Sequence, residues 1–371
     1  MRIVILGAGF GGLSVARGLV RRGVYKKHEI VLVDKTQEFC YMPWLFHCAV
    51  GENYSATRRV KDFWWARRLR LVKEDVSGHS VQDRLVHFAS GGSLTYDVLI
   101  VALGAESRNF SLPGVSEYGL GLKNFSDAQR IAQRFAEVRH EALRSATPKH
   151  IFVVGAGANG VELCAEMASV LRTDDYVRLH LVDGAKEPVA MFPAAVRRIV
   201  QERLEKLRVR MLFSARLQSA TPTSVSFSDI THPCDMLVFL GGVVAVRILS
   251  SFGLPLNPAG RIIVDNTFLV SGHSGIFALG DCAAMLDEGT GMADPQSAQA
   301  AYLQATYVAR NVEAFLENTS PVLFPSRRRW QTLLVVGGKY GVGRVFGLAI
   351  WGYFAYVMRA LVDKRFFLSL R

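Results

Sequence analysis

Ile3-Val-Ile-Leu-Gly-Ala-Gly-Phe-Gly-Gly12 runs a short apolar strand straight into Gly-x-Gly-x-x-Gly, and Ile151-Phe-Val-Val-Gly-Ala-Gly-Ala-Asn-Gly160 does so again. The spacing has a physical cause. The first glycine lets the strand turn tightly, the second admits a pyrophosphate to the backbone, and the third allows close helix-to-sheet packing, with the phosphates at the positive helix end. Each motif is followed by a helix-compatible run and a second apolar strand ending in a carboxylate, Asp34 after Glu29-Ile-Val-Leu-Val33 and Asp183 after Leu179-His-Leu-Val182. Asp34 follows Gly7 by 27 residues and Asp183 follows Gly155 by 28. Such a carboxylate takes ribose hydroxyls and repels a 2′-phosphate, which favours NADH over NADPH at a nicotinamide site. One glycine-rich turn is as readily a plain loop. The duplicated strand, loop, helix, strand and acid predict two dinucleotides on one chain.

The repetition extends beyond the glycines. Asp97-Val-Leu-Ile-Val-Ala-Leu-Gly104 and Asp235-Met-Leu-Val-Phe-Leu-Gly-Gly242 are both a carboxylate, an apolar strand and glycine. Strands are predicted over Leu85 to Phe88, Leu94 to Ala102 and Arg261 to Val264, a turn and boundary at Pro113-Gly114, and a helix from Asp127 to Leu143 opening the second unit. In Gly275-Ile-Phe-Ala-Leu-Gly-Asp-Cys-Ala283, a strand ends at Gly280 and Asp281. Asp281 there either meets a ribityl hydroxyl or pyrophosphate, or simply caps the turn. The aromatic loop Phe39 to Cys48 around Pro43, and the basic run Arg58 to Arg70 with Trp64 and Trp65, read either as core loop and solvated helix face or as a wall over a cofactor.

At 371 residues, the chain exceeds the size at which one core stops growing, so two or three domains are expected. The net charge of +12 is uneven: from Pro325 onward nine basic residues stand against Asp363 alone. They flank apolar, aromatic sequence with no nucleic-acid motif, so an anionic lipid surface fits better than nucleic acid. Cys40, Cys48, Cys164, Cys234 and Cys282 show neither Cys-x-x-Cys nor metal-ligand spacing and read as free thiols in a reducing compartment; no metal is expected. Met1-Arg2 leads directly into the first strand, so no signal peptide is expected and the cytoplasmic side follows. Val345 to Met358 is an uncharged stretch containing Trp351 and Phe354 between Arg344 and Arg359. As a helix it would span about 21 Å, short of a roughly 30 Å hydrocarbon core. It is expected either to lie in a membrane interface with basic ends towards headgroups or to pack as a core helix or homodimer contact.

With these residues in hand, the chain resembles the two-dinucleotide-binding flavoproteins, and within them the type II NADH dehydrogenases. The resemblance rests on Gly7-Ala-Gly-Phe-Gly-Gly12, the Pro43 loop, Leu112-Pro-Gly-Val-Ser-Glu-Tyr-Gly-Leu-Gly-Leu-Lys123, Gly155-Ala-Gly-Ala-Asn-Gly-Val-Glu162, Gly280-Asp281 and Ala298-Gln-Ala-Ala301. From Leu333 through Gly341-Val-Gly-Arg344 to Phe366-Phe-Leu368, the chain is also similar to the ferroptosis suppressor branch of the apoptosis-inducing-factor family.

The resemblance implies an α/β fold of two Rossmann-like domains, the second inserted in the first: FAD in residues 1–113 and 259–322, NADH in 114–258, and a membrane-contact or dimerisation segment in 323–371. It implies FAD held by Gly7, Gly9, Gly12, Asp34, Lys35, Gly104 and Asp281, and NADH held by Gly155, Gly157, Gly160, Asp183 and Gly241. Glu162 matches the family glutamate near nicotinamide and flavin, and Gln299 the glutamine between flavin and quinone; on the residues alone, they read equally as a helix-end carboxylate and a surface amide. Gln299, Gln304, Trp351 and Phe354 are the expected quinone or membrane contacts. The chain departs from the family pattern in three places: the turn after the strand, with Leu103 where threonine is usual; the helix after Gln299, with Leu303 where a second glutamine is usual and Gln304 one step later; and the Pro43 loop, with Trp44 and His47. Different quinone headgroup contacts are expected in consequence. The implied activity is hydride transfer from NADH to FAD and two-electron reduction of a quinone, without proton pumping, at the cytoplasmic face of a membrane. Glu162 is the first candidate for proton relay and His47 the second. The rivals are a sulfide:quinone or disulfide reductase, and a flavoprotein acting through partner binding as apoptosis-inducing factor does. Truncation before Arg327 is expected to abolish lipid binding and to leave flavin reduction largely intact.

Overall fold

The protein was analysed as a computed structural model that describes residues 1–108, 112–287, 291–325 and 332–370. Arg327, Arg328, Arg329 and Arg371, part of the expected basic tail, lie outside the described residues.

Strand β1 (Arg2–Leu6) feeds helix α1 (Phe10–Arg21), which returns the chain to β2 (Glu29–Val33). With β3 (Arg70–Val72), β4 (Val98–Val101) and a late strand, Ile276–Ala278, these form a five-stranded sheet. Its order is Ile276–Ala278, β4, β1, β2, β3, with every pairing parallel. The strands are near-continuous apolar runs because both faces are covered.

The chain then leaves through β5 (Ala105–Ser107) and builds a second parallel sheet from β6 (Gly119–Leu120), β7 (Lys149–Val154), β8 (Val177–Asp183), β9 (Arg210–Phe213) and β10 (Met236–Phe239). The order β6, β10, β7, β8, β9 repeats that of the first sheet. Helix α2 (Leu45–Ala49) reaches this unit from the first, α3 (Phe125–Ser145) precedes β7, and α4 (Ala158–Val170) follows it. The chain returns through β11 (Val243–Ala245), which pairs antiparallel with β5, so the outgoing and incoming connections form one ribbon. Ala245, Leu249, Phe252 and Leu254 already pack into the first core, ahead of the expected change at residue 259.

The repeated carboxylate before a strand has a structural use. Asp97 accepts the Arg2 N–H at 2.5 Å and Asp235 accepts the His150 N–H at 2.8 Å, so each pins the start of the neighbouring parallel strand. Asp97 also interrupts the strand expected over Leu94 to Ala102, which is split into Ser93–Thr95 and β4.

After α5 (Ala298–Glu317) comes an antiparallel sheet of β13 (Thr332–Val335), β14 (Gly341–Val345) and β15 (Leu348–Gly352), then α6 (Tyr353–Leu370), with the late strand of the first sheet counted as β12. The expected continuous segment Val345 to Met358 is therefore a strand end, a turn, a strand and the start of a helix. Phe346 and Gly347 both have positive φ, +48° and +91°, and join Val345 to Leu348 as a two-residue hairpin turn. Arg58 to Arg70 likewise forms short strands and 3-10 turns instead of a helix face; Trp65 is wholly buried there and Trp64 exposed.

The C-terminal elements straddle both units. Leu334, Val335, Val336 and Val342 pack into the second core, while Phe366 and Leu370 pack into the first. The indole N–H of Trp65 donates to the Leu370 carbonyl at 2.9 Å. Truncation before Arg327 would strip both cores, which corrects the expectation that flavin reduction survives it. Among the described residues, no helix is long and apolar enough to cross a membrane.

Candidate active site

The two glycine motifs show which constraints belong to the fold and which to a ligand. Gly7 and Gly155 have φ of +100° and +109°, and a Cβ on either would lie 2.4 and 2.2 Å from a carbonyl oxygen of Ala102 and Leu240. A Cβ on Gly12 or Gly160 would lie 1.9 or 1.8 Å from the carbonyl oxygen of Gly7 or Gly155. Gly9 and Gly157 differ: both are helix N-caps in ordinary extended backbone, and a Cβ there would meet nothing within 4 Å. Nothing in the folded chain requires glycine at these two positions. The space left open in front of a helix N-terminus suits a pyrophosphate.

The two carboxylates close the same pair of loops. Asp34 accepts the Ala8 N–H at 2.9 Å and Asp183 accepts the Ala156 N–H at 2.6 Å, each through Oδ2, while their Oδ1 atoms accept from Thr36 and Ala185. Lys35 is exposed beside Asp34. Gly104 and Gly242, at φ +73° and +96° with open space around a Cβ, end the equivalent strands β4 and β10, and Gly241 lies in the same loop.

Asp281 lies in the turn after β12 and is half-buried, which pushes its carboxyl up, opposed by Lys123 and Arg261. Burial lowers the Lys123 amine, and Asp281 opposes that shift. No local sequence pattern pairs Lys123 with Asp281, since 158 residues separate them. Gln304 is 2% exposed and engaged at both ends: its Oε1 accepts the Gly280 N–H at 2.7 Å and its Nε2 donates to Asp294 at 2.9 Å. It fixes the Gly280–Asp281 turn to α5, which corrects its expected place as a quinone contact. Gln299 is exposed in the first turn of α5, whose N-cap Ser297 accepts the Ala300 N–H.

Glu162 projects from α4 beneath the C-terminal sheet. It is 5% exposed, accepts the Val335 N–H at 3.0 Å, and is pushed up to about 7 by burial, with Arg359 pulling the other way. Val335 and Arg359 also line a cavity of about 290 Å³ between the Pro43 loop and α6, together with Trp44, His47, Tyr356 and Phe367. Glu162 thus stands one layer behind the cavity wall. Asp363, a wall residue, accepts from Tyr41 at 2.6 Å, Trp44 at 3.1 Å and Arg359 at 3.0 Å, and so ties the aromatic loop to α6. The Pro43 loop is both buried packing and cavity wall: Tyr41 stacks on Phe366, and Trp44 on Phe367. Asp363 is visible in the sequence as the lone acid of a basic tail, but no local pattern marks it as the partner of Tyr41 and Trp44.

Trp351 and Phe354 are 57% and 64% exposed, and Phe346 at the hairpin tip is 90% exposed. The cysteines are free and none has an activated environment: burial pushes Cys40 and Cys282 up to about 11 and Cys234 to about 12, and raises Cys48 and Cys164 as well.

Residues 1–305 match the family model described as pyridine nucleotide-disulphide oxidoreductase. Demethylphylloquinone reductase NdbB of Synechocystis sp. is 29% identical over 97% of this chain and 91% of its own length. A type II NADH:quinone oxidoreductase of Staphylococcus saprophyticus is 24% identical over 98% of this chain and 94% of its own. Among solved structures, NDH2 from Plasmodium falciparum in complex with NADH superposes with a TM-score of 0.87 at 18% identity, covering 100% of this chain and 97% of its own. The sulfide:quinone oxidoreductase of Aquifex aeolicus gives 0.84 at 18%, covering 100% and 91%, so the fold is shared across both activities. With more than three quarters of its length matched, the chain belongs to the pyridine nucleotide-disulphide oxidoreductase family.

Proposed function

We propose that this protein is an FAD-dependent NADH:quinone oxidoreductase of the type II NADH dehydrogenase class, peripheral to a membrane. The observation that carries the reading is the pairing of two ligand-ready glycine loops with a third, separate cavity under α6. Relatives named as quinone reductases cover nearly the whole chain. The first unit, through Gly7, Gly9, Gly12, Asp34, Gly104 and Asp281, would hold FAD; the second, through Gly155, Gly157, Gly160, Asp183 and Gly241, would hold NADH. FAD, when bound, accepts a hydride from NADH and passes two electrons onward.

The chain supplies position and protons. Gln304 and Asp294 hold Asp281 in place, and Lys123 contributes positive charge beside it. Quinone reduction consumes a proton from outside the hydride, and Glu162, titrating near neutrality behind Arg359, suits that duty. The cavity at Trp44 and Phe367 is the proposed acceptor site, and Gln299 a proposed flavin-side contact. Buried thiols with raised pKa values count against a disulfide or sulfide reductase, because the thiolate is the reactive form.

The exposed face of the hairpin and α6, with Phe346, Leu348, Trp351, Phe354, Lys364 and Arg365, is the proposed contact with an anionic lipid surface, a second copy of the chain being the competing occupant. The cytoplasmic leaflet, rich in anionic lipid, is the proposed side. Purified holoprotein with NADH should reduce short-chain quinones far faster than oxygen, and sulfide should reduce its flavin more slowly than NADH. Flavin reduction by NADH without steady-state quinone turnover would instead favour a partner-binding role.

A further inference from the structure

We propose that His47, Glu52 and Glu166 form a binding site for one divalent transition-metal cation of the zinc class, at the edge of the cavity under α6. One ligand-capable atom from each lies within 4.8 Å of the other two. They arrive from separate places: His47 on α2, Glu52 just beyond it, and Glu166 on α4.

Two features point to a ligand, beyond mere proximity. Glu166 is 2% exposed; its Oε2 accepts the Gly338 N–H at 3.2 Å, but its Oε1 is buried with no hydrogen-bond partner. A buried carboxylate oxygen left so is costly and uncommon in native proteins. His47 Nδ1 lies 3.0 Å from a Glu52 oxygen yet makes no properly directed hydrogen bond to it. The imidazole nitrogen is thus buried and unsatisfied although a carboxylate oxygen is close by.

The dimensions agree. With zinc bonds of about 2.0–2.2 Å to nitrogen and oxygen, tetrahedral ligand atoms stand roughly 3.4 Å apart. The His47–Glu52 pair is near that spacing already, and no pair of ligand atoms has to close by more than about 1.4 Å, within a side-chain adjustment. One imidazole and two carboxylates make a mixed nitrogen and oxygen set, suited to Zn²⁺ or Co²⁺ more than to Ca²⁺ or Mg²⁺, which favour oxygen alone. The Tyr54 ring, stacked on His47 at 4.4 Å and 6°, fixes the imidazole plane. Two carboxylates and a neutral imidazole supply a net charge of −2 to a divalent ion.

Because His47 and Tyr54 also line the cavity, a cation held there would clamp one wall of the proposed acceptor site. That consequence rests on the quinone reading; metal binding itself does not. The test is equilibrium dialysis of the flavin-loaded protein against Zn²⁺, with Co²⁺ absorption spectra as an independent readout. One metal ion per chain is expected, removed by chelator and not displaced by millimolar Mg²⁺. Glu52→Gln and Glu166→Gln should each weaken binding at least ten-fold, with flavin content and circular dichroism unchanged. Glu52 is 45% exposed, so its replacement tests the site even where Glu166→Gln fails to fold. Binding well below one ion per chain, or undiminished in Glu52→Gln, overturns the site. If the metal binds but quinone turnover is the same with and without it, the site stands and its link to the acceptor cavity is lost.

Discussion

Asp183 accepts a 2.6 Å hydrogen bond from the backbone N–H of Ala156, the residue between the first two glycines of the second motif. The acid at the end of one strand therefore shapes the loop at the end of its neighbour, and its other oxygen accepts the Ala185 N–H at 2.7 Å. Removing the side chain would free a loop N–H and, in the proposed NADH site, remove a ribose contact. Asp183→Ala should lower kcat/KM for NADH by roughly 10- to 100-fold, the worth of about 1–3 kcal/mol. Asp183→Asn keeps an acceptor for Ala156 but drops the charge, so its main effect should be a narrower gap between NADH and NADPH. Steady-state kinetics with both nucleotides decide this, and equal kcat/KM values in the parent protein would contradict the assigned role.

The glycine loops separate folding from binding. Gly9→Ala places a methyl in open space, so the flavin-free protein should keep its thermal midpoint within about 2 °C, a cost under roughly 1 kcal/mol. Its FAD occupancy should fall at least ten-fold. Gly12→Ala drives a methyl to 1.9 Å from the Gly7 carbonyl and should destabilise the fold by about 1–3 kcal/mol or more, with or without flavin. Flavin content and thermal melts, measured side by side, distinguish the two.

These loops were legible because each residue's duty is local: a strand, a tight turn, a helix start and an acid at fixed distance. The same holds for Asp97 and Asp235, visible as a repeat although their use in pinning adjacent strands appears only in three dimensions. In the C-terminal part, a hydrophobic run hides a turn. Phe346-Gly347 carries the signal, since consecutive positive φ values favour glycine, but a window averaging hydropathy passes over it. Gln304 differs from its expected place for another reason. Its periodicity on α5 places it on the inward face, and its neighbour Leu303, not Gln304, is the exposed one. The ties from Asp363 to Tyr41 and Trp44 join residues more than 300 positions apart, and no local pattern encodes them.

In its proposed role as proton donor, Glu162 ties pH to the oxidative half of the cycle. Burial holds it near 7 in the folded protein, against about 4.3 for a free glutamate. As pH rises through 7 it loses its proton, so quinone-dependent reoxidation should decline across that interval, while flavin reduction by NADH stays level. Glu162→Gln should flatten the decline and slow reoxidation at least ten-fold at pH 6, within the range for a general acid. The stability sign follows from the same shift. A raised pKa gives a stabilising contribution that is full below about 4.3 and lost as pH rises through 7, so the Gln variant should gain on the parent in thermal melts at pH 8. A pH profile unaltered by Glu162→Gln would remove Glu162 from the proton route.

The hairpin and α6 should govern lipid attachment without a spanning helix. Phe346 and Trp351 are too exposed to contribute much to either core, so Phe346→Ser and Trp351→Ser should leave folding and flavin content intact. Each should weaken binding to vesicles, by roughly ten-fold where the ring enters the interface fully, since burying such a side chain is worth about 1.5–3 kcal/mol. Lys364→Glu and Arg365→Glu should act differently, reducing binding to anionic vesicles at low salt and having little effect on neutral ones. Sedimentation with vesicles of both compositions separates the two contributions. If all four substitutions left vesicle binding unchanged but shifted the protein's mass in solution, the exposed face would belong to a second copy of the chain.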